Sequence, residues 1–179
     1  MSVKVCVGVS TSLEYNNIEK IERGVFNNLK YLKKLYLNGN NISSIEQGSF
    51  QGLPRLQLLS IHLNNIPHIE KGIFQDLPSL EQLYLYSNNI SSIEEGGFHA
   101  LPRLQILYLN NNTIEKIDPG IFYNLTNLQL LTLSFNKIEK IEHGIFQNLT
   151  NLQKLYLTGN NILSIEEGSF QGLNNLQLL

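Results

Sequence analysis

The chain has 179 residues, 42% of them hydrophobic, with 13 Lys+Arg against 15 Asp+Glu and a formal charge of −2. That is enough apolar content for one domain with a core, and it excludes an acidic disordered tail; the balanced charge argues against a nucleic-acid binder, which carries a clustered positive excess. No run of about 18 apolar residues spans a membrane, and Cys6, the only cysteine, allows neither an internal disulfide nor a cysteine-rich zinc module.

At the N-terminus Val3, Val5, Val7 and Val9 alternate with Ser2, Lys4, Cys6 and Gly8, the period of a strand. From about Gly8 onward the chain repeats itself. Leu32, Leu56, Leu80, Leu104, Leu128, Leu152 and Leu176 stand 24 residues apart without an insertion. Asn16, Asn40, Asn64, Asn88, Asn112, Asn136 and Asn160 form a second column, and Phe26, Phe50, Phe74, Phe98, Phe122, Phe146 and Phe170 a third. The unit reads LxxLxLxxNxIxxIxxGxFxxLxx, and such self-similarity predicts a solenoid. The expected organisation is one domain over 1–179. Residues 1–7 form a strand capping the open end, 8–31 a degenerate first coil with Gly8 and Thr11 in leucine positions, 32–175 six regular coils, and 176–179 the start of another. Solenoid ends need caps. The final Gln177-Leu178-Leu179 reads as a fragment's end, or as a surface that packs on a second copy to make a homodimer.

Each column has a physical role. LxxLxLxx alternates as a half-buried strand does, and stacked coils place those strands side by side about 4.8 Å apart in a parallel sheet. The asparagine suits the turn leaving the strand, where its amide can satisfy backbone groups of adjacent coils. The phenylalanines stack as a spine on the far side. About ten residues per coil remain there, punctuated by Pro54, Pro78, Pro102 and Pro119, which predicts turns, extended pieces and short helical turns. The fold class is an α/β repeat solenoid with a curved parallel sheet on its concave face.

Between the core leucines, side chains point to the concave face, and there the coils differ. The middle column reads Ser12, Tyr36, Ser60, Tyr84, Tyr108, Thr132 and Tyr156, and the next reads Glu14, Asn38, His62, Tyr86, Asn110, Ser134 and Thr158. Tyrosine, serine and asparagine are the residues of adaptable binding loops, although tyrosine also suits a plain sheet surface. A ring cluster beside the carboxylate of Glu81 fits a sugar or a protein loop.

An acidic row, Glu22, Glu46, Glu70, Glu94, Asp118, Glu142 and Glu166, runs elsewhere on the coils. Stacked carboxylates attract cations or a basic partner, but Lys20, Arg23, Lys71, Lys116 and Lys140 lie close by, so the row reads as solvated structure. Asn41, Asn89, Asn111, Asn124 and Asn148 begin Asn-x-Ser/Thr sequons, which permit glycosylation and secretion. No signal peptide precedes the repeats. His62, His68, His99 and His143 fall in different columns, so no metal site is expected. One glycine recurs in each coil, from Gly24 to Gly168, and no glycine-rich phosphate-binding loop occurs. Without a nucleophile and base converging in a pocket the chain reads as a non-enzyme that needs no cofactor.

The repeat resembles the leucine-rich repeat superfamily in its 24-residue extracellular form. Near-identical segments such as ISSIEQGSFQGL, ISSIEEGGFHAL and ILSIEEGSFQGL, with variation concentrated on the strand face, resemble variable lymphocyte receptors and Toll-like receptor ectodomains. Extracellular relatives close the N-terminal end with a disulfide-bonded cap, where this chain has Cys6 alone. The resemblance implies an extracellular recognition module of immune-receptor type whose concave face binds a protein or glycan, microbial surface components included. By that resemblance the site centres on His62, Glu81, Tyr84, Tyr86, Tyr108 and Asn110, with Tyr36, Ser60, Thr132 and Ser134 around them. The alternative is a structural or adhesion protein, or an engineered consensus scaffold.

Overall fold

A computed structural model describes residues 9–179; the capping strand expected over 1–7, with Cys6, lies outside the described residues. Coils are numbered one to seven from residue 8 in steps of 24.

Thirteen short strands run in chain order: β1 (Ser10–Ser12), β2 (Lys20–Ile21), β3 (Lys34–Tyr36), β4 (Ser44–Ile45), β5 (Leu58–Ser60), β6 (His68–Ile69), β7 (Gln82–Tyr84), β8 (Ser92–Ile93), β9 (Ile106–Tyr108), β10 (Leu130–Thr132), β11 (Lys140–Ile141), β12 (Lys154–Tyr156) and β13 (Ser164–Ile165). The strands that open the coils, β1, β3, β5, β7, β9, β10 and β12, form one parallel sheet in sequence order. The register is one coil throughout, pairing Leu59 with Leu83 and Leu83 with Leu107. A slip by one residue would turn every leucine to the opposite face, so burial of Leu35, Leu59, Leu83, Leu107, Leu131 and Leu155 holds the alignment.

Two ladders tie the coils together inside. In coil five the Asn112 amide donates to Leu109 O in its own coil and to Leu85 O in the coil before, while its Oδ1 accepts the Ile90 N–H. Asn40, Asn64, Asn88 and Asn136 repeat the arrangement. Backbone groups at the turn, which water cannot reach, are thereby paired. Opposite, the phenylalanine rings stack with centroids 5.9 to 6.5 Å apart. Rings need more room than strands about 4.8 Å apart, so each coil is a wedge and the sheet lies on the inside of the arc.

The residue before each ladder asparagine turns into the left-handed region. Tyr15, Leu63, Ser87, Asn111 and Phe135 have φ between 52° and 56°, and Gly39 and Gly159 have 69° and 74°. The rings of Tyr15 and Phe135 lie across the next coil's glycine, where a Cβ at Gly39 or Gly159 would come within 2.5 Å of ring carbon Cδ1.

The expected short helical turns are not seen: no helix occurs among the described residues, and the convex arcs are successions of turns joined to two-residue strands. A helix must pay for a nucleus before it propagates, and here a left-handed glycine such as Gly96, with φ 89°, interrupts each arc after one turn. Among the described residues the convex strands pair only as β2–β4, β6–β8 and β11–β13. Pro67 has no N–H to donate across the β4–β6 gap. In the second coil of each pair a small residue, Ser49, Gly97 or Ser169, is buried where Ile73, Ile121 and Ile145 stand in other coils.

Candidate ligand-binding face

Pleating sends alternate strand residues outward. Leu83 and Leu85 enter the core and Tyr84 and Tyr86 face the concavity, and the same parity places Ser60 and His62 on that side one coil earlier and Tyr108 and Asn110 one coil later. Because the register is one coil, these outward side chains meet across neighbouring strands. The His62 ring stacks on Tyr86 with centroids 4.1 Å apart and planes 13° from parallel. Tyr86 meets the edge of Tyr108 at 6.3 Å, and Tyr84 lies 5.1 Å from Tyr108 at a tilt of 34°. The result is one continuous platform of four rings over coils three to five.

Hydrogen bonds hold the platform from below. The Ser60 hydroxyl lies 2.8 Å from His62 Nδ1 and donates to Asn38 Oδ1 at 3.2 Å, both Ser60 and Asn38 being buried. The Tyr84 hydroxyl donates to Gln82 Oε1 at 2.6 Å. Partial burial lowers the His62 pKa, opposed by the Glu14 carboxylate, so the imidazole is neutral at pH 7. Burial also raises Tyr84, helped by Tyr108, Tyr36 and Tyr86, and raises Tyr86. At neutral pH the platform is therefore an uncharged aromatic surface.

The other candidate positions lie around it. Tyr36 is half-buried on β3, paired in register with Ser60. Asn110, Thr132 and Ser134 lie beyond Tyr108 toward coil six, with the last two buried. Glu81 is half-buried just before β7, and its backbone N–H and C=O serve the sheet. It precedes Tyr84 by three residues, whereas Gln82, two residues away and on the same face, meets the tyrosine. Sequon residues Asn41, Asn89, Asn111 and Asn124 are exposed, Asn148 is half-buried, and Asn111 sits in the left-handed column at the concave rim.

Sequence reasoning passed over two features. Leu63 and Phe135 are large, apolar and exposed at 45% and 58% on the rim of the face. The acidic row also does more than meet solvent: Glu46, Glu94 and Glu166 accept the backbone N–H of Arg23, Lys71 and His143 one coil away. The ammonium groups of Lys20 and Lys140, then those N–H groups, hold Glu46 and Glu166 below the usual carboxylate pKa. Every acid that does this belongs to a coil with Ser or Gly in the small-residue column, a coincidence readable in the sequence.

A coiled parallel sheet with an invariant interior and a variable inner face is the architecture of a solenoid binding module, whose concave surface meets its partner. The pattern of the leucine rich repeat family matches residues 12–66, 54–114, 102–162 and 126–179, and the chain belongs to that family. Among solved structures it is similar to the TLR13 chain in the crystal structure of a TLR13–ssRNA13 complex. Identity there is 33% and the TM-score 0.87, over 90% of this chain and 23% of that one. The chain thus spans about a quarter of the length of that receptor chain. In all, 444 solved chains match, so the architecture alone selects no ligand. No curated protein sequence matches the chain.

Proposed function

We propose that the chain is a non-enzymatic recognition module of immune-receptor type, exposed outside the cell, that binds a protein loop or a glycan on its concave sheet. The observation that carries this reading is the four-ring platform of His62, Tyr86, Tyr108 and Tyr84. Aromatic side chains give large contact area at low entropic cost and dominate binding energetics. The similar TLR13 chain is captured with single-stranded RNA, but on this chain coils three to six place neither Lys nor Arg between Gln57 and Leu63 or at the equivalent positions 81–87, 105–111 and 129–135. A phosphate backbone finds no cation there, and phosphate contacts supply most nucleic-acid affinity. That balance favours protein or glycan over RNA.

The test is binding of the purified chain to microbial cells and to glycan, protein and single-stranded RNA arrays, repeated with a Tyr84→Ala/Tyr86→Ala/Tyr108→Ala variant of unchanged melting. Loss of binding in the folded variant is the expected result. Binding indifferent to the three rings, or confined to RNA, overturns the proposal, and uniform tolerance across the whole face leaves a scaffold.

A further inference from the structure

Beyond Tyr108 the concave face dips into a shallow open depression of about 390 Å³ over coils five to seven. Leu130 lies in it and the rings of Tyr108, Phe135 and Tyr156 border it. Thr132 and Ser134 are more than nine-tenths buried, at 8% and 7% exposure, and both line this depression. Their hydroxyls form no hydrogen bond to any described residue, and neither do the side chains of Asn110, Tyr108 and Tyr156. In earlier coils two of the equivalent groups are satisfied internally, Ser60 by Asn38 and His62 and Tyr84 by Gln82, while the Tyr36 and Tyr86 hydroxyls bond no described residue. Since no fully enclosed side-chain polar atom among the described residues lacks a partner, the free hydroxyls point where solvent, or a ligand, can reach them. Neither a Lys, an Arg, an Asp nor a Glu lines the depression.

Five neutral groups, each able to donate and accept, thus surround an apolar patch walled by rings. The lining offers no opposite charge for a phosphate, carboxylate or ammonium ligand to pair with, which favours a neutral one. The volume falls at the small end of the roughly 300–1,000 Å³ of ligand sites, suited to one ring rather than a folded loop. We infer that this depression is a subsite for a single neutral hexopyranose ring, whose C–H face meets the aromatic walls and whose hydroxyl rim bonds Thr132, Ser134 and Asn110. The inference deepens the recognition reading and rests on it for the face concerned, but on different residues apart from Tyr108.

The probes are methyl β-D-glucopyranoside, methyl β-D-galactopyranoside and methyl α-D-mannopyranoside, with N-acetylneuraminic acid as the charged control. Each is titrated into the full chain by NMR. At least one neutral glycoside is expected to bind in the millimolar range, shifting amides of 130–135 and 156. Thr132→Val keeps the shape and removes the hydroxyl; it and Ser134→Ala each weaken binding about tenfold at unchanged melting. A Tyr123→Ala variant, at an exposed convex position outside the depression, stays within about twofold of wild type. Absence of glycoside binding, binding that survives the Thr132→Val/Ser134→Ala double variant, or equal binding of the charged sugar overturns the inference. If the glycosides fail while the three-tyrosine variant still abolishes array binding, the hexose subsite falls and the recognition reading stands. If the glycosides bind as expected while array binding ignores the three tyrosines, the platform reading falls and the subsite stands.

Discussion

Replacing Asn112 by alanine removes one rung of the internal ladder. The amide donates to Leu85 O and Leu109 O, each at 3.1 Å, and its Oδ1 accepts the Ile90 N–H at 3.0 Å. The two carbonyls are not orphaned, because Asn88 still donates to Leu85 O and Asn136 to Leu109 O. The Ile90 N–H has no such second partner, and Ile90 is wholly buried. One orphaned buried donor costs about 1–3 kcal/mol, and loss of two shared bonds adds about 0.5 kcal/mol each, so Asn112→Ala should destabilise by about 3 kcal/mol. Asn16 is the internal control. It is exposed and, among the described residues, bonds only the nearby Leu13 O and Glu14 O, so Asn16→Ala should stay within about 0.5 kcal/mol of wild type. Urea unfolding by circular dichroism measures the difference, and hydrogen exchange at Ile90 localises it if coils unfold separately. Equal effects of the two substitutions, or an Ile90 amide still protected in Asn112→Ala, would refute the account of the ladder.

Gly159→Ala should cost about 2 kcal/mol, from φ of 74° and the clash with the Phe135 ring; a double-mutant cycle by thermal melting should show a smaller cost in a Phe135→Ala background. Gly97→Ile would force a side chain into space where a Cβ alone already meets Ile69 Cγ2 at 3.0 Å and Glu94 O at 3.2 Å. It should destabilise by about 1–3 kcal/mol and speed exchange of the Lys71 amide, which Glu94 holds. His62 is lowered in the folded chain, chiefly by burial, so its folded form resists protonation more than the unfolded chain does. Its contribution to stability is complete above the unfolded value of about 6.5 and is lost as pH falls through the folded one. Melting followed from about pH 7.5 down to pH 5 should therefore show a decline that is shallower in His62→Gln, and parallel curves would count against the burial of this imidazole.

The fold was legible because each core column answers a demand that recurs every 24 residues: leucine to fill the wedge, asparagine to serve three backbone groups, phenylalanine to stack. The meeting of Tyr84, Tyr86 and Tyr108 with His62 followed from that register alone. Glu81 illustrates the limit, since its position before β7 rather than within it makes Gln82 the neighbour of Tyr84. The left-handed column was hidden because Leu63, Ser87 and Phe135 are not residues that announce a positive φ; the ladder imposes it on whatever stands there. Helical turns were expected on the convex side because arc length permits them, but the glycine that closes each turn forbids propagation. The free hydroxyls of Thr132 and Ser134 were invisible, because serine in the same column can be satisfied, as Ser60 is, when the neighbouring coil supplies an acceptor.

The ladder also has a bearing on how such a molecule changes size. Every rung joins a coil to the one before it, through groups 22 and 27 residues back, so along the ladder a coil recognises only the coils on either side. Duplicating or deleting one 24-residue unit in frame leaves the asparagine rungs chemically unchanged while lengthening or shortening the inner face by one strand. A lineage carrying this chain can thus acquire a longer recognition surface by a single copying error, without inventing a new core.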